Sequence, residues 1–358
     1  MCHPDRLNPA MRAQALHAEF KLGVSGHIGH TQWPSIDGWS QNFFVPEPLL
    51  CGMSQLVRIT DVSPRDGLQN EARHIPTQDK AELVARLVEA RVDEVEVSSF
   101  VSAKWIPQLG DAAELFQMVK KVKTDDVVFS ALVPNDNGLS QAIDVNSAAG
   151  SRIINKVSVF AAASESFSHK NTNGTIDQVL ERFAVLIPRA KAEGFLIRGY
   201  VSCVIACPFE GPVSPAKVVS VAKRLINLGV DELDYGDTIG AADSPLLTRL
   251  LREHIREFGE AHLRDPLRFT LHLHDTFGRA AECARTAFGL GVRSFDSAAA
   301  GLGGCPYAST SNTRAPGNID TATLISALND AGGTTRVDSV ELSVATKFAQ
   351  SLGKSQTP

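Results

Sequence analysis

From residue 55 onward, short runs of β-branched and apolar residues alternate with longer stretches whose apolar positions recur every three or four residues. The short runs predict strands and the longer stretches predict amphipathic helices. Strands are predicted at 56–61, 94–98, 127–132, 153–160, 196–202, 231–235, 269–274 and 293–297. The helical stretches carry their own punctuation. Asp79 leads into a stripe of Leu83, Val84, Leu87 and Val88. Ser214 and Pro215 supply an N-cap and a first-turn proline, and Gly229 closes that helix. Ser244-Pro245 opens the next, which ends at Gly259, and Asp320 caps another that stops near Gly332. The stretch 177–193 is helical with Pro188 inside it, so a kink or break is expected there. A last short helix is expected near 338–352.

Strands and helices in strict alternation predict an α/β fold, a (β/α)8 TIM barrel, for which about 250 residues is typical. The rival is an open doubly wound sheet, which carries a glycine-rich phosphate loop after its first strand. Here the first strand is followed by Ser63-Pro-Arg-Asp-Gly67, and no dinucleotide or P-loop fingerprint occurs. Residues 1–52 show neither period. They are expected to be an N-terminal extension, disordered or irregular, without a catalytic role; few arginines and several acidic residues make a targeting peptide a poor fit. Residues 53–358 are expected to form one barrel domain.

Composition narrows the picture. Of 358 residues 43% are hydrophobic and the net charge is −5, so a folded soluble chain is expected, with no nucleic acid and no membrane as partner. The six cysteines form no Cys-x-x-Cys pair, which argues against a zinc knuckle, and a chain this long needs no disulfide framework. A reducing cytoplasm is the expected setting. Asn173-Gly-Thr175 matches a glycosylation sequon by chance, in the absence of a signal peptide.

In a barrel, chemistry collects where the strands end. Arg65 and Asp66 follow the first strand, Glu96 lies in the second with Ser98 and Ser99 behind it, Asn135 follows the third, and Asp237 the sixth. His272 and His274 end the seventh, and Cys305 sits in the loop Gly301-Leu-Gly-Gly-Cys-Pro-Tyr-Ala308 after the eighth. On the seventh strand Phe269, Leu271 and Leu273 share one face, while Thr270, His272 and His274 share the other. Two imidazoles in register at a barrel mouth can bind one ion. A lone histidine would be read as a core residue. Asp66 is the natural anionic partner, although Asp-Gly by itself is an ordinary turn pair. Such a set suits Mg²⁺, Mn²⁺, Zn²⁺ or Co²⁺ and does not choose among them. Arg65, beside a metal ligand, is placed to stabilise an oxyanion. The inward carboxylate of Glu96 needs a partner, and Arg65 is the obvious one. Cys305 reads either as an inert thiol or as an acid–base group on a mobile loop.

These segments resemble the hydroxymethylglutaryl-CoA lyase family from Val57 to about Gly332. The resemblance rests on Ser63-Pro-Arg-Asp-Gly-Leu-Gln-Asn-Glu71, Ser99-Phe-Val-Ser-Ala-Lys-Trp105, Ala163-Ser-Glu-Ser-Phe167, Gly199-Tyr-Val-Ser-Cys203, Gly236-Asp-Thr-Ile-Gly240, His272-Leu-His-Asp-Thr276 and the Gly301–Tyr307 loop. It implies a metal-assisted retro-aldol (Claisen-type) cleavage of 3-hydroxy-3-methylglutaryl-CoA to acetyl-CoA and acetoacetate. It implies Mg²⁺ or Mn²⁺ held by Asp66, His272, His274 and Asn318, with Arg65 on the enolate oxygen and substrate, Cys305 as catalytic thiol, and Glu96 and Asp237 in support. It also implies an acyl-CoA thioester as partner and a homodimer. The segment between Cys305 and Asn318 is longer than the family pattern, which leaves Asn312 as the other asparagine for the ligand role. Asp320 stands near where the family has a glutamate. Two other readings share the machinery: a lyase for citramalyl-CoA or isohexenylglutaryl-CoA, and an isopropylmalate- or homocitrate-synthase-like condensing enzyme. The synthases lack the Cys-Pro loop. A binding barrel without activity is the remaining class.

Overall fold

In the computed structural model, which describes residues 55–303 and 317–353, the eight predicted strands pair in chain order, each parallel to the next, and the eighth returns to the first. They are β1 (Arg58–Asp61), β2 (Glu94–Ser99), β3 (Val128–Leu132), β4 (Lys156–Ala162), β5 (Leu196–Ser202), β6 (Glu232–Asp237), β7 (Phe269–Leu273) and β8 (Ser294–Ser297). Closure rules out the open doubly wound sheet. The N-terminal extension expected over residues 1–52, its junction at residue 53, Cys305 and Asn312 all lie outside the described residues. Among the described residues no helix is long and apolar enough to cross a membrane.

The helices fill the intervals as their punctuation requires. Ser214 accepts a hydrogen bond from Lys217 N and starts helix Pro215–Leu228, and Gly229 ends it at φ 101°. Asp320 caps Thr321–Asp330 by accepting from Thr323 N. The last helix, Ser339–Gly353, packs on the first, Thr77–Glu89. At Ser244 the expectation shifts by one residue: Asp243 is the N-cap, accepting from Leu246 N, and Ser244 is the first helical residue. The expected break at Pro188 is absent, and the helix runs from Ile176 to Ala192. Pro188 and Ala184, whose carbonyl loses its usual i+4 donor, both lie on the solvent face, where water can take that carbonyl.

Strand β4 begins later than its apolar run suggests. The backbone of Ile154 bonds to the Asn146 side chain through both its N–H (2.9 Å) and its C=O (3.0 Å), leaving it outside the ladder. The sequence also gave no sign of the short antiparallel pair Ala206–Cys207 and Gly211–Pro212 in the loop after β5.

Strand residues of one parity face the helices and are apolar: Ile59, Val95, Val97, Phe129, Val157, Val159, Ile197, Leu233, Tyr235, Leu271 and Phe295 are buried. Residues of the other parity fill the barrel, and here they are polar and many are charged. Arg198 reaches Glu232 (2.8 Å), Asp296 (3.1 Å), Glu94 (3.3 Å) and Asp234 (3.5 Å). Lys156 bridges Glu94 and Glu232. Buried charges survive only when paired in this way. The polar parity therefore runs through the barrel interior to the mouth, where the candidate site residues stand.

Candidate active site

The C-terminal ends of the strands open into a cavity of about 670 Å³. Arg65, Asp66, Tyr200, His272, His274 and Gly303 line its inner end, and Trp105, Lys170 and Arg182, all exposed, line its rim.

The turn after β1 places two adjacent side chains on the cavity. Residues Ser63–Gly67 form one π-helical turn, closed by Gly67 N donating to Val62 O (3.1 Å). π-turns often mark functional positions because they re-aim side chains. Buried Asp61 anchors this turn. It accepts from Ser63 N (2.9 Å), from the Ser63 hydroxyl, from Ala299 N (3.0 Å) and from Thr321 Oγ1 (2.8 Å), tying the turn to the segment after β8. Gly67 must be small, because a Cβ there would lie 2.9 Å from Leu302 Cβ.

Strand β7 brings the histidines in. His272 and His274 face inward with ring centroids 5.2 Å apart. Ligand atoms of Asp66, His272 and His274 all lie within 4.8 Å of one another. His272 Nδ1 sits 3.1 Å from Asp296 Oδ2. Burial opposes ionisation of Asp296, but Arg198 and His272 hold its carboxyl well below the usual range. Burial lowers the His272 pKa, but Asp296 outweighs it and raises the pKa overall; the ionised carboxylate accepts, so Nδ1 carries the hydrogen, and in the neutral ring Nε2 keeps its lone pair. Burial, aided by His272, pushes His274 down to about 3, so this imidazole is neutral near pH 7. Asp66 is held below the carboxylate range: burial works against this, and Arg65, His272 and His274 outweigh it.

Asn318 joins the group from the far side. Asp275 N donates to Gly317 O (2.6 Å) and Ile319 N to Leu273 O (3.0 Å), which lays 317–319 beside the end of β7. Asn318 Nδ2 donates to Asp66 Oδ2 (2.8 Å) and Leu302 O (3.0 Å). Among the buried side-chain atoms of Asp66, His272, His274 and Asn318, two have no hydrogen-bond partner, Asn318 Oδ1 and His274 Nδ1. Orphaned acceptors beside a carboxylate and a second imidazole fit a divalent cation. A Cβ on Gly303 (φ 101°) would lie 2.5 Å from Asn318 Nδ2 and 3.3 Å from Asp66 Oδ2. Gly303→Ala is therefore expected to weaken Mn²⁺ binding at least about tenfold, the scale seen when the supports of metal ligands are disturbed; calorimetric titration of the purified variant with Mn²⁺ checks it.

Arg65 stands against this group. Its Nε and Nη2 both meet Glu96 Oε2 at 2.5 Å, and Nη1 meets Asp66 Oδ1 at 2.7 Å. A guanidinium has five N–H donors, so these three contacts leave two. Burial opposes the charge on Arg65, but Glu96 and then Asp66 raise its pKa further above neutrality. Glu96 has its pKa raised by burial, with Arg65 pulling the other way.

Arg65, Asp66, Glu96, His272, His274 and Asn318 are thus brought together. Asp237 is turned elsewhere: its oxygens accept from Ala241 N (2.9 Å) and Ala242 N (2.8 Å), and it does not line the cavity. Burial pushes its carboxyl up to about 6, against those two bonds. It fixes the loop after β6, whose Thr238 is at the cavity wall, and its carboxylate is close enough to His272 to feel that ring's charge. Asn135 lines the cavity and also caps helix Asp136–Ala149, accepting from Gly138 N. Sequence reasoning missed Asp61, Tyr200 and Asp296. The signal was the run of polar residues at one parity, as in Arg198-Gly-Tyr200 and Ser294-Phe-Asp296.

The HMGL-like family model matches residues 56–348. The chain is 41% identical over 292 residues to a mitochondrial hydroxymethylglutaryl-CoA lyase of Bos taurus, covering 82% of this chain and 84% of that one. It is 40% identical over 299 residues to a cytoplasmic 3-hydroxy-3-methylglutaryl-CoA lyase of Mus musculus, covering 84% and 82%. A solved HMG-CoA lyase from A. baumannii, in complex with coenzyme A and 3-methylmalate, superposes with a TM-score of 0.75 at 30% identity, covering 84% of this chain and 92% of that one.

Proposed function

The chain belongs to the HMGL-like family, and from that premise we propose that it is a carbon–carbon lyase cleaving 3-hydroxy-3-methylglutaryl-CoA to acetyl-CoA and acetoacetate. The observation that carries the reading is the convergence of Asp66, His272 and His274 within 4.8 Å, beside a guanidinium that keeps free donors.

We assign the ligand role to Asp66, His272, His274 and Asn318, with Mg²⁺ or Mn²⁺ as the ion. Such an ion, when bound, lowers the pKa of the substrate's C3 hydroxyl. Breaking C2–C3 leaves negative charge on the thioester oxygen. The two unused N–H groups of Arg65 are the donors for it, and Glu96 holds the guanidinium so that no reorientation is needed as charge grows. The new carbanion carbon must take up a proton, which we assign the thiol of Cys305 to deliver; the proton lost from the C3 hydroxyl replaces it, so none is consumed or released overall. Asp237 acts by holding the loop after β6. Coenzyme A carries several phosphates, and exposed Lys170 and Arg182 at the rim supply charge of the matching sign.

A coupled assay of acetyl-CoA release tests the substrate. It should run over hydroxymethylglutaryl-CoA, citramalyl-CoA and isohexenylglutaryl-CoA, with Mg²⁺ or Mn²⁺, and with and without a thiol reductant. Hydroxymethylglutaryl-CoA is expected to have the highest kcat/KM; no release from any thioester overturns the reading. Cys305→Ala is expected to lower kcat by about 10²–10⁴ with KM little changed, the usual worth of a general acid; steady-state kinetics of the variant check this. We infer a homodimer, which light scattering tests, and a cytoplasmic setting, which fractionation tests.

A further inference from the structure

We propose that Asp296 is a positioning residue that fixes the imidazole of His272 and, through Tyr200, joins the metal ligands to the guanidinium of Arg65. The inference rests on the metal reading above and extends it to Asp296, which does not line the cavity, and to the hydroxyl of Tyr200 on the cavity wall.

Parallel pairing of β7 and β8 puts Asp296 directly opposite His272. Each Asp296 oxygen is used. Oδ2 accepts from His272 Nδ1 (3.1 Å), and Oδ1 accepts from Arg198 Nη1 (3.1 Å). The carboxylate is 1% exposed, so water does not compete for either contact. An imidazole that gives Nδ1–H to a fixed carboxylate has its tautomer chosen and its ring plane set, which leaves Nε2 as the only ligand atom. Tyr200 adds to this, its ring meeting His272 edge-on at 90° with centroids 6.4 Å apart.

The tie to Arg65 runs through the Tyr200 hydroxyl. It lies 3.3 Å from Asp296 Oδ2 and 3.3 Å from Glu96 Oε1, and Arg198 Nη1 lies 3.4 Å away. A phenol has one proton and faces two carboxyl groups, so it is shared between the arm that orients His272 and the arm that orients Arg65. Glu96 then passes the constraint to Arg65 Nε and Nη2. One connected network thus spaces the cation site from the oxyanion donors, and the chemistry needs that spacing fixed.

The test compares full-length wild type with Asp66→Ala, Asp296→Asn and Tyr200→Phe. Each protein is stripped with chelator and titrated with Mn²⁺ while free Mn²⁺ is read by electron paramagnetic resonance; kcat and KM are measured separately. An asparagine offers one oxygen where two are used. Asp296→Asn is therefore expected to bind Mn²⁺ about 10- to 100-fold more weakly. Tyr200→Phe is expected to keep its Mn²⁺ affinity within about threefold while kcat falls about 5- to 15-fold and KM holds, as for loss of one buried hydrogen bond. Folded Asp296→Asn that binds Mn²⁺ like wild type overturns the inference. If Asp296→Asn does not fold, Tyr200→Phe decides, and an unchanged kcat overturns it. Wild type that takes up no more Mn²⁺ than Asp66→Ala sinks the metal reading itself, an outcome distinct from either of these.

Discussion

Arg65→Gln is expected to lower kcat by about 10²–10³ while KM changes little, because removal of a donor aimed at a developing oxyanion acts on the transition state alone. The geometry specifies how. Glutamine has no planar fork of five donors, so it cannot hold Glu96 through two nitrogens, meet Asp66 and still face the substrate. Glu96 is fully buried, and losing its cation leaves a carboxyl with only the Tyr200 hydroxyl. Breaking a buried pair costs about 3–5 kcal/mol of stability, so the variant should also melt lower, unless Glu96 takes up a proton. Kinetics at saturating substrate separate the two effects, since a destabilised but folded enzyme keeps its kcat. Near-normal kcat in the folded variant would remove Arg65 from the chemistry.

Asp66→Ala is expected to abolish tight Mn²⁺ binding and with it turnover. Asp66 is the only carboxylate in the ligand group, the acceptor for Asn318 Nδ2 and the second acid on Arg65. Two neutral imidazoles and an amide oxygen bind a hard divalent cation poorly without an anion. Chelator treatment of wild type should give the same loss of turnover, with recovery on adding Mn²⁺, whereas Asp66→Ala should not recover. Activity that survives exhaustive chelation would exclude the ion from the reaction.

Much of this was legible in the sequence because periodicity and capping are local properties. All eight barrel strands fall within a few residues of where alternation placed them, and Gly229 and Asp320 terminate helices by the geometry their residue types favour. Local signals also explain the small departures. Asp243 and Ser244 are both good caps, and only the backbone shows which one takes the N–H of Leu246. Pro188 signals a break, but it falls on a solvent face where the lost bond costs little. What depended on pairing across the barrel was less visible. Each of Arg198, Asp234 and Asp296 reads alone as a polar residue in a strand, and only closure shows them meeting at the axis. Asp61 looked like the last residue of a strand, while its carboxylate gathers segments some 240 and 260 residues away in the chain. At the end of β6 the Asp237 side chain bonds its own loop, and position at a strand end does not by itself tell such a supporting carboxylate from one that faces the cavity.

The most direct measurement is anomalous diffraction at the manganese edge from crystals grown with Mn²⁺. One strong peak is expected about 2.0–2.3 Å from an Asp66 oxygen and from a ring nitrogen of both His272 and His274, with Asn318 Oδ1 completing the protein ligands. A peak bound to only one of these side chains, or no peak in crystals of active enzyme, would contradict the account.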